Sequence, residues 1–253
     1  MKNGVIYIAT GKKKYIDEAI FSAKSLSKYC PNIPITIFTD YDADLGKPFE
    51  SVKIISNDMN PMKLKVKCLC ESPYQNTVFL DSDTEVRDSI YELFDFLDDF
   101  DMALASFPKL DRSHIPSRII EYEQPNLFNT GVICFKQSPA QGKFFKSWFD
   151  AVLQQNSEDM WAGHFCDQHY FNELISVEKH TEFGVKIKML PNKIYNVRPP
   201  MIAPLTRSGE IKVSKIIHCH NLHRSALARQ TIRITDRLRR EKEKYLGGTK
   251  ALS

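Results

Sequence analysis

Thr77-Val78-Phe79-Leu80-Asp81-Ser82-Asp83-Thr84 decides the architecture. Four β-branched or apolar residues in succession read as a strand buried on both faces, the kind found inside a parallel sheet. Two carboxylates follow it directly. If the chain stays extended there, Asp81 and Asp83 point to one side and Ser82 to the other. Ligands of open α/β sheets bind beyond the carboxyl ends of the strands. Adjacent carboxylates repel each other unless a shared proton or a cation relieves them, and a hard divalent cation bound to a diphosphate does so. The bare segment is equally a polar turn, because Asp and Ser are common turn residues.

Working outward, Gly4 to Thr10 reads as a buried first strand. Ile16, Ala19, Ile20, Ala23 and Leu26 then recur at helical spacing over residues 15–29, and Cys30-Pro31 ends that helix. Strands are predicted at 33–39 and 52–55, a helix at 63–71 stopped by Ser72-Pro73, an amphipathic helix at 90–100 and a strand at 102–106. Residues 107–126 show no period, and their length suggests a substrate-facing segment. A strand at 127–135 interrupted by Gly131, helices at 139–154 and 167–175, strands at 185–190 and 215–217, and a terminal helix at 225–246 complete the reading. Alternating strands and helices predict an α/β/α sandwich with a mainly parallel mixed sheet. One domain is expected over residues 1–223, followed by a basic tail at 224–253.

Of 253 residues, 42% are hydrophobic and 26% charged, so wholesale disorder is excluded. The net charge of +4 is unevenly spread. Residues 224–253 carry nine Lys/Arg against three Asp/Glu, which leaves a mildly acidic body. No apolar run reaches the roughly 18 residues of a membrane span, and the first apolar stretch is too short for a secretory core. The six cysteines form no CxxC, so reduced thiols and a cytoplasmic setting are expected.

In this context residues 77–84 resemble the DxD segment of nucleotide-diphospho-sugar glycosyltransferases of the GT-A fold. The likeness is to the glycogenin and lipopolysaccharide galactosyltransferase type. It extends over residues 4–223 through ordered elements: Ala9-Thr10, Lys65, Asn129-Thr130-Gly131-Val132, Asp167-Gln168, Leu190-Pro191 with Tyr195-Asn196, and Ile216-Ile217-His218. The similar family motif continues His-Phe-x-Gly, where this chain has His218-Cys219-His220-Asn221.

The resemblance implies a transferase moving a sugar from a nucleotide donor, UDP- rather than GDP-linked, to a glycan, lipid-linked or protein hydroxyl, with retention favoured. Asp81, Asp83 and His218 would hold Mn²⁺ or Mg²⁺, the imidazole favouring Mn²⁺, and His220 is the alternative ligand. Ala9, Thr10 and Tyr15 would cradle base and ribose, with Asp81 and Ser82 beside them. Lys65 is the basic residue that aligns best, ahead of its neighbours Lys63 and Lys67. Asn129, Thr130 and Gly131 would line the donor sugar. Asp167 would be the base of an inverting enzyme, whereas in a retaining one Gln168 would sit near the anomeric carbon.

Other classes fit less well. No G-x-G-x-x-G follows the first strand, and Gly11-Lys12 lacks the upstream glycine of a P-loop. An aspartyl-phosphatase motif wants Thr or Val where Glu85 stands. A non-catalytic nucleotide-sugar-binding or nucleic-acid-binding protein is the remaining alternative. Arg229, Arg233, Arg237 and Arg240 form one stripe of the tail helix. Such a stripe suits peripheral contact with an anionic membrane. Nucleic acid is the less favoured partner, since the positive charge lies mostly outside the acidic site.

Overall fold

The computed structural model describes residues 2–106, 128–155, 167–175 and 180–224. The segment at 107–126 and the tail helix at 225–246 lie outside the described residues.

Seven strands form the central sheet: β1 (Asn3–Ala9), β2 (Ile35–Thr39), β3 (Ser51–Ile54), β4 (Asn76–Leu80), β6 (Met102–Ser106), β7 (Phe128–Lys136) and β8 (Ile187–Leu190). Their order is β3-β2-β1-β4-β7-β6-β8. Only β7 runs against its neighbours, pairing antiparallel with both β4 and β6. The expected mainly parallel mixed sheet is therefore present. Two short strands, β5 (Thr84–Val86) and β9 (Ile216–His218), pair antiparallel in a separate ribbon.

Strand alternation sorts the core into two layers. Val5, Tyr7, Ala9, Val78 and Leu80 face α1 (Lys13–Tyr29) and α3 (Glu92–Asp99). Ile6, Phe79, Leu104, Ile133 and Phe135 face the other way, onto α2 (Pro61–Cys70), α4 (Pro139–Leu153) and α5 (Asp167–Leu174). The second layer is aromatic: Phe144, Phe145, Trp148 and Phe171 meet with ring centroids 5.0 to 6.3 Å apart. Helix starts follow the expected chemistry. Asn60 accepts from the Met62 N–H before Pro61, and Ser138 accepts from the Gln141 N–H before Pro139.

Short elements were not legible in the sequence. These are β5, α6 (His180–Phe183), α7 (Asn192–Tyr195), α8 (Pro199–Ser208) and a 3₁₀ turn at Glu210–Val213. Three or four residues carry too little periodicity to be recognised alone, and the ten residues of α8 are obscured by Pro199, Pro200 and the internal Pro204, which read as breakers. Among the described residues no helix is long and apolar enough to cross a membrane. Cys30, Cys68, Cys70, Cys134 and Cys219 are free thiols.

The sheet order creates the site. After β1 the chain builds outward through β2 and β3, then returns to lay β4 on the other side of β1. This reversal opens a crevice at the carboxyl ends of β1 and β4. Because β7 is antiparallel to β4, its beginning, Asn129-Thr130-Gly131, arrives at the same edge, and the Asp81 N–H donates to the Gly131 carbonyl (2.8 Å).

Candidate active site

Asp81, Ser82 and Asp83 form a turn between β4 and β5. The carboxylates still converge, through the turn and the β5–β9 ribbon instead of through strand alternation. The Thr84 hydroxyl donates to the Asp81 carbonyl (2.9 Å) and accepts from Ser22, whose hydroxyl lies 2.7 Å away. Ser22 in turn accepts from the buried Tyr7 phenol (3.0 Å). This line of hydroxyls runs from the sheet through α1 and holds the turn from behind. On its other side β9 pairs Thr84 with His218, and the Cys219 N–H donates to the Asp83 carbonyl (2.8 Å).

That pairing delivers an imidazole from the far end of the chain. His218 Nε2 lies 3.2 Å from Asp83 Oδ1 and 3.6 Å from Asp81 Oδ2. Ligand atoms of Asp81, Asp83 and His218 all fall within 4.8 Å of one another. Burial works to raise the Asp83 carboxyl, but the imidazoles of His218 and His220 outweigh it and hold the group well below the usual carboxylate range. Asp83 is thus held as an anion, the form a cation ligand needs.

Gly131 gives an independent indication of fit. A Cβ there would lie 2.1 Å from His218 Cε1 and 2.8 Å from Asp81 Oδ2. The strand stays extended through this residue, while its pairing with β6 shifts register between Ile133 and Phe128, so the expected interruption falls on that edge alone. Gly131 is needed because a side chain would occupy the cradle between imidazole and carboxylate. Two carboxylates and an imidazole around such a cradle suit a hard or borderline divalent cation. Gly131→Ala is expected to cost about 1–3 kcal/mol by overpacking and to push His218 away from Asp81. Thermal denaturation with and without Mn²⁺ checks this; an undiminished Mn²⁺-induced shift would contradict it.

His220, the alternative ligand, lies outside the triad. The strand ends at His218, and His220 Nδ1 lies 3.2 Å from Asp83 Oδ2 and 3.4 Å from Glu18 Oε1. The hydrogen bond to Glu18 raises the imidazole above its ordinary value; burial opposes this and Asp83 adds to it. Glu18 on α1 also accepts from the Asn221 N–H (2.8 Å) and so pins the loop after β9 to the helix. Sequence reasoning missed Glu18, whose position in an amphipathic helix resembles that of any other polar residue.

Asn221 occupies the place of the family motif's glycine. Its φ of 66° is left-handed, a conformation that Asn tolerates better than other non-glycine residues. Asn221→Gly should therefore leave stability nearly unchanged, while Asn221→Val should lose about 1–2 kcal/mol. Denaturant unfolding of both variants tests this, and equal losses would contradict it.

Lys65 on α2 is buried beneath the opposite face of the site. Its ammonium lies 3.3 Å from Asp81 Oδ1, 3.2 Å from Asp167 Oδ2 and 3.4 Å from the Thr130 hydroxyl, over the Phe79 ring at 5.0 Å. Desolvation favours loss of its proton, yet the two carboxylates outweigh it and raise the group. With all three donors engaged, Lys65 ties a cation-site carboxylate to Asp167. Lys63 instead donates to the Leu153 and Gln155 carbonyls on α4 and the loop after it.

Asp167 is buried at the start of α5 and also accepts from Thr130 Oγ1 (2.9 Å). Gln168 Oε1 accepts from Asn129 Nδ2 (2.8 Å) and from the Thr130 N–H (3.2 Å). Asn129, Thr130, Asp167 and Gln168 are therefore one assembly. Ala9 and Thr10 are buried where β1 ends, and the Asp40 carboxylate accepts from the Gly11 N–H and fixes the turn beyond them. Tyr15 stands near His220, with ring centroids 6.5 Å apart. Ser82 is half-buried in the turn.

Solved structures share this fold. The chain is similar to the galactosyltransferase LgtC, solved with donor and acceptor sugar analogs, with TM-score 0.57, 15% identity and 87% of each chain covered. It is similar to mouse xyloside xylosyltransferase 1, with TM-score 0.55, 14% identity, and 88% of this chain and 99% of that one covered. The glycosyltransferase GlyE of Streptococcus pneumoniae TIGR4 matches with TM-score 0.57 and 15% identity over 86% of this chain and 54% of that chain. No curated protein matches the chain. Fold and site together define the class, a glycosyltransferase of the GT-A fold. The family model of nucleotide-diphospho-sugar transferases matches residues 74–218, more than half of the chain, and the chain belongs to that family.

Proposed function

We propose that this enzyme moves a sugar from a nucleotide-diphospho-sugar, UDP-linked in preference to GDP-linked, to a hydroxyl acceptor with retention of anomeric configuration. The observation that carries the reading is the meeting of Asp81, Asp83 and His218 beside the bare Gly131 at the crevice between β1 and β4. These three residues would hold the divalent cation, Mn²⁺ before Mg²⁺ because one donor is an imidazole. When bound, such an ion supplies positive charge against the charge developing on the departing nucleoside diphosphate.

Ala9, Thr10 and Tyr15 would border the base and ribose at the end of β1, and Ser82 would lie on the nucleotide side of the turn. Asn129, Thr130 and Gly131 would face the donor sugar. Lys65 acts by holding Asp81 and Asp167 in place, since its three donors are already engaged. A buried Asp167 that accepts from Lys65 and Thr130 is better suited to holding the sugar than to deprotonating an incoming acceptor, which supports retention. Gln168 would then flank the anomeric carbon, and the leaving phosphate would take the acceptor proton. The acceptor is a glycan, lipid-linked or protein hydroxyl. Residues 1–223 form the catalytic domain in this reading, and the basic residues of 224–253 suit peripheral contact with the cytoplasmic face of an anionic membrane.

The test is release of UDP or GDP from a panel of UDP- and GDP-sugars, with Mn²⁺, Mg²⁺ or EDTA. Metal-dependent cleavage of at least one donor is expected. Folded protein that cleaves none of them with Mn²⁺ would overturn the reading.

A further inference from the structure

Four side chains form a directed line of hydrogen bonds behind the site: His218, Asn196, Asn129 and Gln168. His218 Nδ1 lies 2.8 Å from Asn196 Oδ1. Asn196 Nδ2 donates to Asn129 Oδ1 (2.8 Å), and Asn129 Nδ2 donates to Gln168 Oε1 (2.8 Å). Asn196 is fully buried, and Asn129 nearly so.

The direction of this line is set by the backbone. A peptide N–H can only donate. The Gly131 N–H meets Asn129 Oδ1 (3.0 Å), and the Thr130 N–H meets Gln168 Oε1 (3.2 Å). Both oxygens are thereby assigned as acceptors, and Asn129 must present its NH₂ to Gln168. Asn196 must then give its NH₂ to Asn129 and its carbonyl oxygen to His218. An oxygen facing Nδ1 requires a proton on that nitrogen. In the neutral ring the free lone pair therefore sits on Nε2, the atom that faces Asp81 and Asp83.

We propose that Asn196 is a positioning residue. It fixes the His218 tautomer and ring orientation, and it couples them to Asn129 and Gln168 on the donor-sugar side. The inference rests on the reading of Asp81, Asp83 and His218 as the cation site. Hydrogen bonds to the outer nitrogen of a ligating histidine characteristically set its tautomer and basicity. Here a single amide does so with one end and orients the sugar-facing side chains with the other. Leu190-Pro191 and Tyr195-Asn196 were legible as ordered elements of the sequence, but nothing in the sequence connects Asn196 to His218.

The experiment measures Mn²⁺ binding by electron paramagnetic resonance, with and without UDP, for wild type, Asn196→Ala and Asn196→Asp, with folding checked by thermal denaturation in EDTA. Asn196→Ala should weaken Mn²⁺ binding about 10–100-fold. Asn196→Asp keeps an acceptor for Nδ1–H but loses the donor to Asn129, so it should bind Mn²⁺ within about threefold of wild type and far better than the alanine variant. Its donor cleavage should nevertheless fall, because Asn129 and Gln168 are no longer held. Unchanged binding in Asn196→Ala, or equal weakening in both variants, would overturn the proposal. If Asn196→Ala fails to fold, long-range ¹H–¹⁵N spectra of the wild-type protein in EDTA decide instead. The neutral His218 ring should carry its proton on Nδ1, and a proton on Nε2 would overturn the inference. Absence of saturable Mn²⁺ binding in wild type, or equal binding by Asp83→Ala, would overturn the cation-site reading itself.

Discussion

Asp83→Asn is expected to reduce the proposed metal-dependent donor cleavage by about a thousandfold, equivalent to roughly 4 kcal/mol of barrier. Both Asp83 oxygens are engaged, one with His218 at 3.2 Å and the other with His220 at 3.2 Å, and its carbonyl accepts from Cys219. Asparagine preserves this shape, removes the charge and turns one of the two acceptor oxygens into an NH₂ donor. The imidazoles of His218 and His220 hold Asp83 below the ordinary carboxylate range, so the substitution removes a charge. Loss of a single charged ligand should therefore act on cation binding far more than on folding. Without metal the variant should melt within a few degrees of wild type, and Mn²⁺ should no longer raise its melting temperature. An Mn²⁺-induced shift as large as that of wild type would refute the assignment.

Lys65→Met is expected to destabilise the protein by about 3–5 kcal/mol, the usual consequence of leaving one side of a buried ion pair uncompensated. At a few degrees per kcal/mol for a chain of this size, the melting temperature should fall by about 10 °C. Methionine retains the length and the contact with Phe79. What it removes is the charge between Asp81 and Asp167, the latter buried to 4% exposure. Adding Asp167→Asn to Lys65→Met should recover much of the loss, since both buried charges are then gone. A small effect of the single variant, or no recovery in the double variant, would show that Lys65 does not act as a clamp. Activity should be lost in both variants, because the donor-sugar residues depend on the same assembly.

The parallel half of the fold could be read from the chain because β1, β2 and β4 bury both faces and interrupt helices of strong 3.6-residue period. Asp81 and Asp83 were visible for a related reason: carboxylates placed at the end of a buried strand need an explanation. Other features depended on partners remote in sequence. By residue chemistry Lys63, Lys65 and Lys67 are alike, and the family resemblance favoured Lys65; the folded chain sends Lys65 inward to Asp81 and Asp167 while Lys63 reaches the end of α4. Gly131 read as an interruption, whereas its bare Cα accommodates His218, a residue 87 positions later.

By itself the sequence determined the layered α/β architecture and the position of the acidic turn at a strand's carboxyl end, because local hydrophobic period and residue chemistry carry that information; the candidate set from Ala9 to His218 came from the resemblance to the family. The tertiary structure decided which groups meet. It joined β5 to β9 so that His218 faces both carboxylates, set Asn221 in a left-handed turn, and aligned Asn196 and Asn129 into a line with one direction. Hydrogen-bond polarity and close approach are properties of atoms brought together across long sequence separations. No local pattern encodes them until the sheet order has placed β7 and β9 at one edge.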